Sequence, residues 1–462
     1  MATQSEVNQK LLDAQLTALS NIAVTPKEVA YLSKVIIDGQ KTADATGTLV
    51  TDDITAPYGY EWNMLTDTYK RLGANHIPIQ EGFRRVVTVG NPQFGGTIYK
   101  YLNEDDSTLY EDGSSATADI NGSTGKQVFV QMPRAYVLEY TVGTVAKTWM
   151  SLAPFSVDTG TEVIEATCDE AFRKTGWTTN GSNEWEHAYV SAFEGVLYDN
   201  SSASYIDGIA TAPTLDLVND KLGSVAGFKP TSTITIINGR TLCENGGSKQ
   251  FDWHRYSFMR LCFNVEYMTH DSQTALPGYT ENTSGPSFDN DALKTGLTLS
   301  LGNNSGSISG SANHLAGGGD GGFSGVVANS YRGIENFYGH LWTWLDAINF
   351  TNAQPFICGI DETFASDSFV APYTRATTTS GELITQPTSN GYQSELFSGG
   401  FFVKAIGATS ATKVTDYYYY ASGNRVLGCG GALNVGAYAS GVGYLLTANA
   451  SSRVVWDICS RL

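Results

Sequence analysis

The stretch "YRGIENFYGHLWTWLDAINF", Tyr331 to Phe350, is the most patterned segment of the chain, and what it is decides how the rest is read: a catalytic helix, a cofactor box, or scaffold. Ile334, Phe337, Tyr338, Leu341, Leu345 and Ile348 recur at helical spacing, which predicts a helix with one fully apolar face, widened by Trp342 and Trp344. Gly339 in its middle costs about 1 kcal/mol relative to Ala, so something is expected to pack closely there. Arg332 and Glu335, three apart, are placed to pair at the helix entry. His340 and Asp346 have no partner at catalytic spacing, and a lone His among aromatics is usually a hydrogen-bonded structural residue. Scaffold is the reading that follows.

The whole chain supports a folded, turn-rich body. Its 462 residues are 41% hydrophobic, enough to bury a large core, and 49 Gly with 25 Tyr suit short strands and tight turns. Asp plus Glu outnumber Lys plus Arg by 46 to 28, a net charge of −18, so nucleic-acid phosphate is repelled rather than bound. The N-terminus lacks a basic-then-apolar secretory pattern, and no apolar run approaches the roughly 20 residues that span a bilayer, so synthesis in a cytoplasm without membrane insertion is expected. Six scattered cysteines, without CxxC or Cys/His spacing, are expected to be buried free thiols.

Along the chain, Val7, Leu11, Leu12, Leu16 and Leu19 mark one helical face. "TPKE" at 25–28 then carries a capping box ahead of a second helix that Gly39 stops. Residues 1–40 are thus expected to be amphipathic helices serving attachment or oligomerisation. The small, polar residues 41–59 form a linker and a body runs over 60–462. Within it Arg84–Val89, Thr97–Leu102 and Gln127–Met132 read as antiparallel strands. Residues 251–267, free of Gly and Pro, read as a buried helix, and 301–325 as a Gly/Ser-rich loop. The nearly uncharged segment 396–462 reads as buried strands. In its "DYYYY" run, two tyrosines are expected to point each way.

Enzymatic signatures are missing: the sequence has no GxSxG, HExxH, P-loop, dinucleotide fingerprint or EF-hand loop. Asp105, Asp106, Glu111 and Asp112 read as a solvated hairpin tip, so neither a metal nor a cofactor is expected. In the tail, large side chains interleave with small ones, and Tyr, Trp and Arg at such positions suit recognition surfaces.

Two segments carry a resemblance. The 331–350 stretch resembles the "GN-x-W-E-W" region of the formylglycine-generating-enzyme type of C-type-lectin fold, and "GCGGALNVGAYASGVGYLLTANASSRVVWDICSRL" resembles its terminal strands. The order of "SAFEGVLYDNS", "DKLGSVAGFKP", the 331–350 stretch and this tail is similar to that in bacteriophage structural and receptor-binding proteins of that fold, including tropism determinants diversified by retroelements. The resemblance implies an α+β, C-type-lectin-like body with short antiparallel strands and a few buried helices. It places Arg332, Glu335, Gly339, Trp342, Trp344, Asp346, Gly430, Gly431 and Arg461 in the scaffold, and puts ligand contacts at Asn434, Val435, Tyr438, Arg453 and Trp456. The chain departs from the pattern at Leu433, where the family has Trp, and at Cys459, where it has Gly. Cys429 and Cys459 do not match the reactive pair of the enzymes, so no catalytic residue is carried over.

The expectation is therefore a non-enzymatic virion protein of fibre or decoration type, attached to other virion proteins through residues 1–40. It would be a homotrimer that meets a host cell-surface glycan or protein. A purely structural head-decoration or tail protein is the alternative, and a formylglycine-type enzyme a more distant one.

Overall fold

The computed structural model describes residues 54–178, 182–278, 292–309, 327–397, 401–433 and 440–462. The helices expected over 1–40 lie outside them, as do 310–326 of the Gly/Ser-rich loop. The described residues are mostly strand. β1 (Tyr58–Asn63) and β2 (Thr68–Gly73) form a hairpin that begins two residues inside the stretch read as linker. β3 (Arg84–Val89), β4 (Thr97–Tyr101) and β5 (Gln127–Pro133) stand where the alternating runs placed them. β6 (Tyr136–Val142) and β7 (Val145–Ser151) close a second hairpin, and β7 joins β1 to complete one antiparallel sheet. β8 (Arg173–Thr178) lies on the surface, and β9 (His187–Ser191) extends the sheet of β5, β3 and β4.

Two helices longer than one turn occur among the described residues, α1 (Ile236–Asn245) and α2 (Trp253–Tyr267). α2 is the buried helix expected at 251–267. Asp252 caps it, its carboxylate accepting from the backbone N–H groups of His254 and Arg255 at 3.0 Å each. The Arg255 side chain then folds back onto the cap, Nε to Asp252 Oδ2 at 2.6 Å, with both side chains fully buried.

The last third of the chain builds the largest sheet around β10 (Trp342–Thr351). β10 is flanked directly by β11 (Gln354–Ile357) on one side and, on the other, by β13 (Asn424–Cys429), which follows β12 (Tyr417–Tyr420) in the chain. β14 (Leu445–Asn449) pairs antiparallel with β13 and parallel with β12. β15 (Ile458–Cys459) returns parallel to the start of β10.

The 331–350 stretch is therefore not a helix. Val327–Tyr331 is a strand, Ile334–Glu335 pairs back on it, and β10 follows. The backbone forbids a helix: Arg332, Asn336 and Ala347 have φ of 49°, 47° and 62°, and Gly333 and Gly339 have 87° and 88°. The apolar spacing misled because Trp342 to Phe350 are all buried, with both faces of the strand covered. A continuous apolar run satisfies a helical template as easily as a strand one. Ala347 sits in a bulge where the pairing of β10 with β13 slips between Leu345 and Asn349.

Of the residues expected in the scaffold, Arg332 is half-buried and the others are buried, with partners that spacing did not suggest. Arg332 pairs with Glu266 of α2, Nη2 to Oε1 at 2.6 Å, and not with Glu335. Glu335 accepts from the backbone N–H of Gly296 and Thr298, both at 2.7 Å. Asp346 takes a two-pronged hydrogen bond from Arg240 of α1, 2.7 Å on each oxygen. Trp344 donates to the Ile234 carbonyl, and the Trp342 ring packs at a tilt against Tyr444, with centres 4.5 Å apart. All six cysteines are buried and free.

Candidate recognition surface

The surface is built from the tail outward. At the end of β13, Gly430 and Gly431 turn with φ of 87° and 79°, and a Cβ on Gly431 would stand 2.6 Å from Ser440 Oγ. That close approach sets Gly431 against Ser440, one of the two feet, Leu433 and Ser440, that bound segment 434–439. The feet themselves are buried: Leu433 and Ser440 have 0% and 1% exposure. Asn434, Val435 and Tyr438 lie outside the described residues.

On the other side of β14 the chain runs through residues 450–457 into β15. The loop is pinned at several points. Ser451 Oγ donates to Asp367 Oδ2 at 2.6 Å, Thr233 N–H donates to the Val455 carbonyl at 3.1 Å, and Trp342 N–H donates to the Asp457 carbonyl at 2.9 Å. Between these pins Arg453 is exposed and Val454 is 41% exposed. Trp456 is half-buried, packed with Ala210 against Leu433, Leu341, Ala292 and Cys459. The structure thus brings Arg453 and Trp456 onto one loop, over the base of Leu433.

Sequence reasoning missed a neighbour of this loop. Thr233 Oγ1 donates to the Ala210 carbonyl, so Thr233 ties loop 450–457 to the segment carrying Ile209, which is 50% exposed. An isolated Ile in "YIDGIATAP" carries no periodic signal. The tyrosine run was a usable signal. Tyr418 points into the core, while Tyr417 and Tyr419 are half-buried on the opposite face of β12 with ring centres 4.8 Å apart. Tyr392 meets Tyr417 edge-on at 4.9 Å, and Val455 packs against the same cluster.

Beneath the surface lies a buried polar layer. His340 is 1% exposed; its Nδ1 lies 2.5 Å from Glu194 Oε2, and its Nε2 accepts from the Leu293 N–H at 2.8 Å. Accepting at Nε2 places the ring proton on Nδ1, donated to the carboxylate. The His340 carbonyl holds the Leu433 N–H at 2.8 Å, so this residue supports the base of the surface. Burial pushes the thiols of Cys429 and Cys459 well up, so neither is a thiolate near neutral pH.

Asp416, which precedes β12, has 2% exposure and accepts from Gly443 N–H at 2.7 Å and Ser272 Oγ at 3.3 Å. A Cβ on Gly441 would overlap Asp416 Oδ1 at 1.9 Å, so the carboxylate fits only beneath a glycine. Burial pushes its pKa up to about 6, against the pull of the Gly443 N–H, the Arg260 charge and Ser272. The folded state therefore holds this proton more tightly than an unfolded chain with a pKa of about 3.9, and stability falls as pH rises between about 4 and 6. Asp416→Asn is expected to flatten that fall by up to about 3 kcal/mol, read as the difference between variant and wild-type urea midpoints across this window. Parallel curves would refute it.

Among the described residues no group of His, Cys, Asp and Glu suits a metal ion, and no helix is long and apolar enough to cross a membrane. No protein-family model and no curated protein matches the chain. Among solved structures the chain is similar to a Major Tropism Determinant P3c variant, at 12% identity over 71% of each chain with a TM-score of 0.25. At that score the likeness carries no argument about fold or function, and the reading of this surface rests on the chain's own geometry.

Proposed function

We propose that this chain is a bacteriophage virion protein with a C-type-lectin-like body. Its C-terminal sheet presents loop 450–457 to a host cell-surface glycan or protein, while residues 1–40 attach it to other virion proteins, as a trimer. The observation that carries the reading is a division within the tail. Gly430, Gly431, Leu433, Ile458, Cys459 and Arg461 are buried frame, while Arg453 and Val454 stand out on a loop pinned at both ends. A rigid frame beneath outward Arg and apolar side chains favours binding, because little order is lost on contact. The reaction it supports is non-covalent recognition, and the virion setting rests on the sequence resemblance.

The double variant Arg453→Glu, Val454→Ala is expected to weaken adsorption of the protein to host cells by about tenfold or more, with an unchanged thermal midpoint. Equal adsorption would leave a purely structural decoration role. Trp456→Ala tests the same face less cleanly, since its half-buried ring also packs on Leu433.

A further inference from the structure

A groove of about 320 Å³ runs between β8 and the loop that follows β11, away from residues 450–457. Its floor is His254, in the first turn of α2 and 5% exposed. The ring lies between two acceptors, Nε2 at 2.6 Å from the Cys358 carbonyl and Nδ1 at 2.9 Å from Glu170 Oε2. Burial alone would depress its pKa; the adjacent Glu170 carboxylate, with Asp252 and the Cys358 carbonyl, overcomes that and pushes it up to about 9. One wall is Arg173, whose guanidinium sits 4.0 Å from the Trp177 ring centre. The other wall carries Asp361 and Glu362.

This groove is held open by the fold. Lys249 Nζ donates to the carbonyls of Ile360 and Glu362, fixing the far wall from behind. The Thr175 N–H donates to Asp361 Oδ2, tying the two walls together. Arg173 Nε donates to the Cys168 carbonyl at 2.7 Å, which anchors the near wall. The volume falls at the lower end of ligand pockets, about 300–1,000 Å³.

Its lining is balanced in charge type: Arg173, Lys174 and His254 are basic, and Glu170, Asp361 and Glu362 are acidic. A net anion or cation gains little there, whereas a neutral molecule with many hydroxyls finds donors on one wall and acceptors on the other. The flat Arg173–Trp177 pair adds a surface for the C–H face of a ring. The geometry points to this groove as a binding site for a neutral saccharide of one or two rings, its hydroxyls donating to Asp361 and Glu362 and accepting from Arg173 and Lys174. This site stands whether or not loop 450–457 is a receptor surface.

The test is saturation-transfer NMR of the full chain with glucose, galactose, N-acetylglucosamine, maltose and lactose. N-acetylneuraminic acid and glucosamine serve as anionic and cationic comparators. At least one neutral sugar is expected to bind more tightly than either comparator. Asp361→Asn and Lys174→Ala are each expected to weaken it about fivefold or more. Asn retains an acceptor for the Thr175 N–H; if either variant has a lowered thermal midpoint, Glu362→Gln replaces it. Absence of binding by all five neutral sugars, preference for a charged comparator, or binding indifferent to the groove variants would each overturn the assignment.

Discussion

Arg461→Ala is expected to destabilise the body by about 3–5 kcal/mol, read as a shift of the urea midpoint with an unchanged slope. The side chain is 1% exposed and its guanidinium donates to three carbonyls: Ser191 at 3.0 Å, Glu335 at 2.7 Å and Asn336 at 3.1 Å. Truncation leaves those acceptors buried and unsatisfied and opens a cavity as well. Arg461→Lys is expected to recover only part of the loss, because a point charge cannot serve three acceptors spread around a planar fork. Removing residues 461–462 is expected to be worse. The Leu462 carbonyl accepts from Ser191 N–H at 2.7 Å, the Arg461 carbonyl accepts from Phe251 N–H at 2.7 Å, and Leu462 is wholly buried. A midpoint unaffected by Arg461→Ala would show that the tail's last residues are dispensable.

The second large effect is at Asp346. Arg240 and Asp346 are 8% and 2% exposed and joined by two 2.7 Å hydrogen bonds. Asp346→Ala leaves the guanidinium buried without its counter-charge, retaining the 2.9 Å bond of Arg240 Nη2 to Ser366 Oγ, at an expected cost of about 3–5 kcal/mol. Replacing both partners together, Arg240→Met with Asp346→Leu, is expected to recover most of this, because desolvation of the pair offsets much of its attraction. Additive losses in the double variant would refute that account. Since Arg240 lies on α1 and Asp346 on β10, the single variant is expected also to increase hydrogen exchange in α1.

The sequence made some elements legible for definite physical reasons. α2 was readable because fifteen residues run without Gly or Pro, and β3 to β5 because turn residues bracket alternating runs. The segment around Trp342 was misread because burial on both faces removes the alternation that separates strand from helix. The clues against a helix were Gly333 and Gly339, both at positive φ. In the tail, small residues between large ones were read as a packed frame with outward positions; Gly430, Gly431 and Arg461 are buried and Arg453 is exposed. The contribution of Ile209 was not legible, since it depends on Thr233 bridging segments more than 200 residues apart in sequence, Val455 on one side and Ala210 on the other. The groove at His254 was equally hidden, as its walls come from β8 and from the loop after β11.

The parallel pairing of β15 with β10 also sets the timing of folding. Thr343 and Cys459 are 116 residues apart, and Asp67 Oδ2 accepts from the Lys413 N–H across 346 residues. Such distant contacts raise the loop-closure cost that must be met before any native contact repays it, so the body is expected to be a slow folder. During synthesis at about 5–20 residues per second, the start of β10, Trp342 and Thr343, waits for its last neighbour for several seconds. Closure of this sheet is therefore a late event that follows emergence of residues 458–462 from the ribosome. Until then the nascent chain presents the kind of exposed strand that chaperones hold and that aggregation captures.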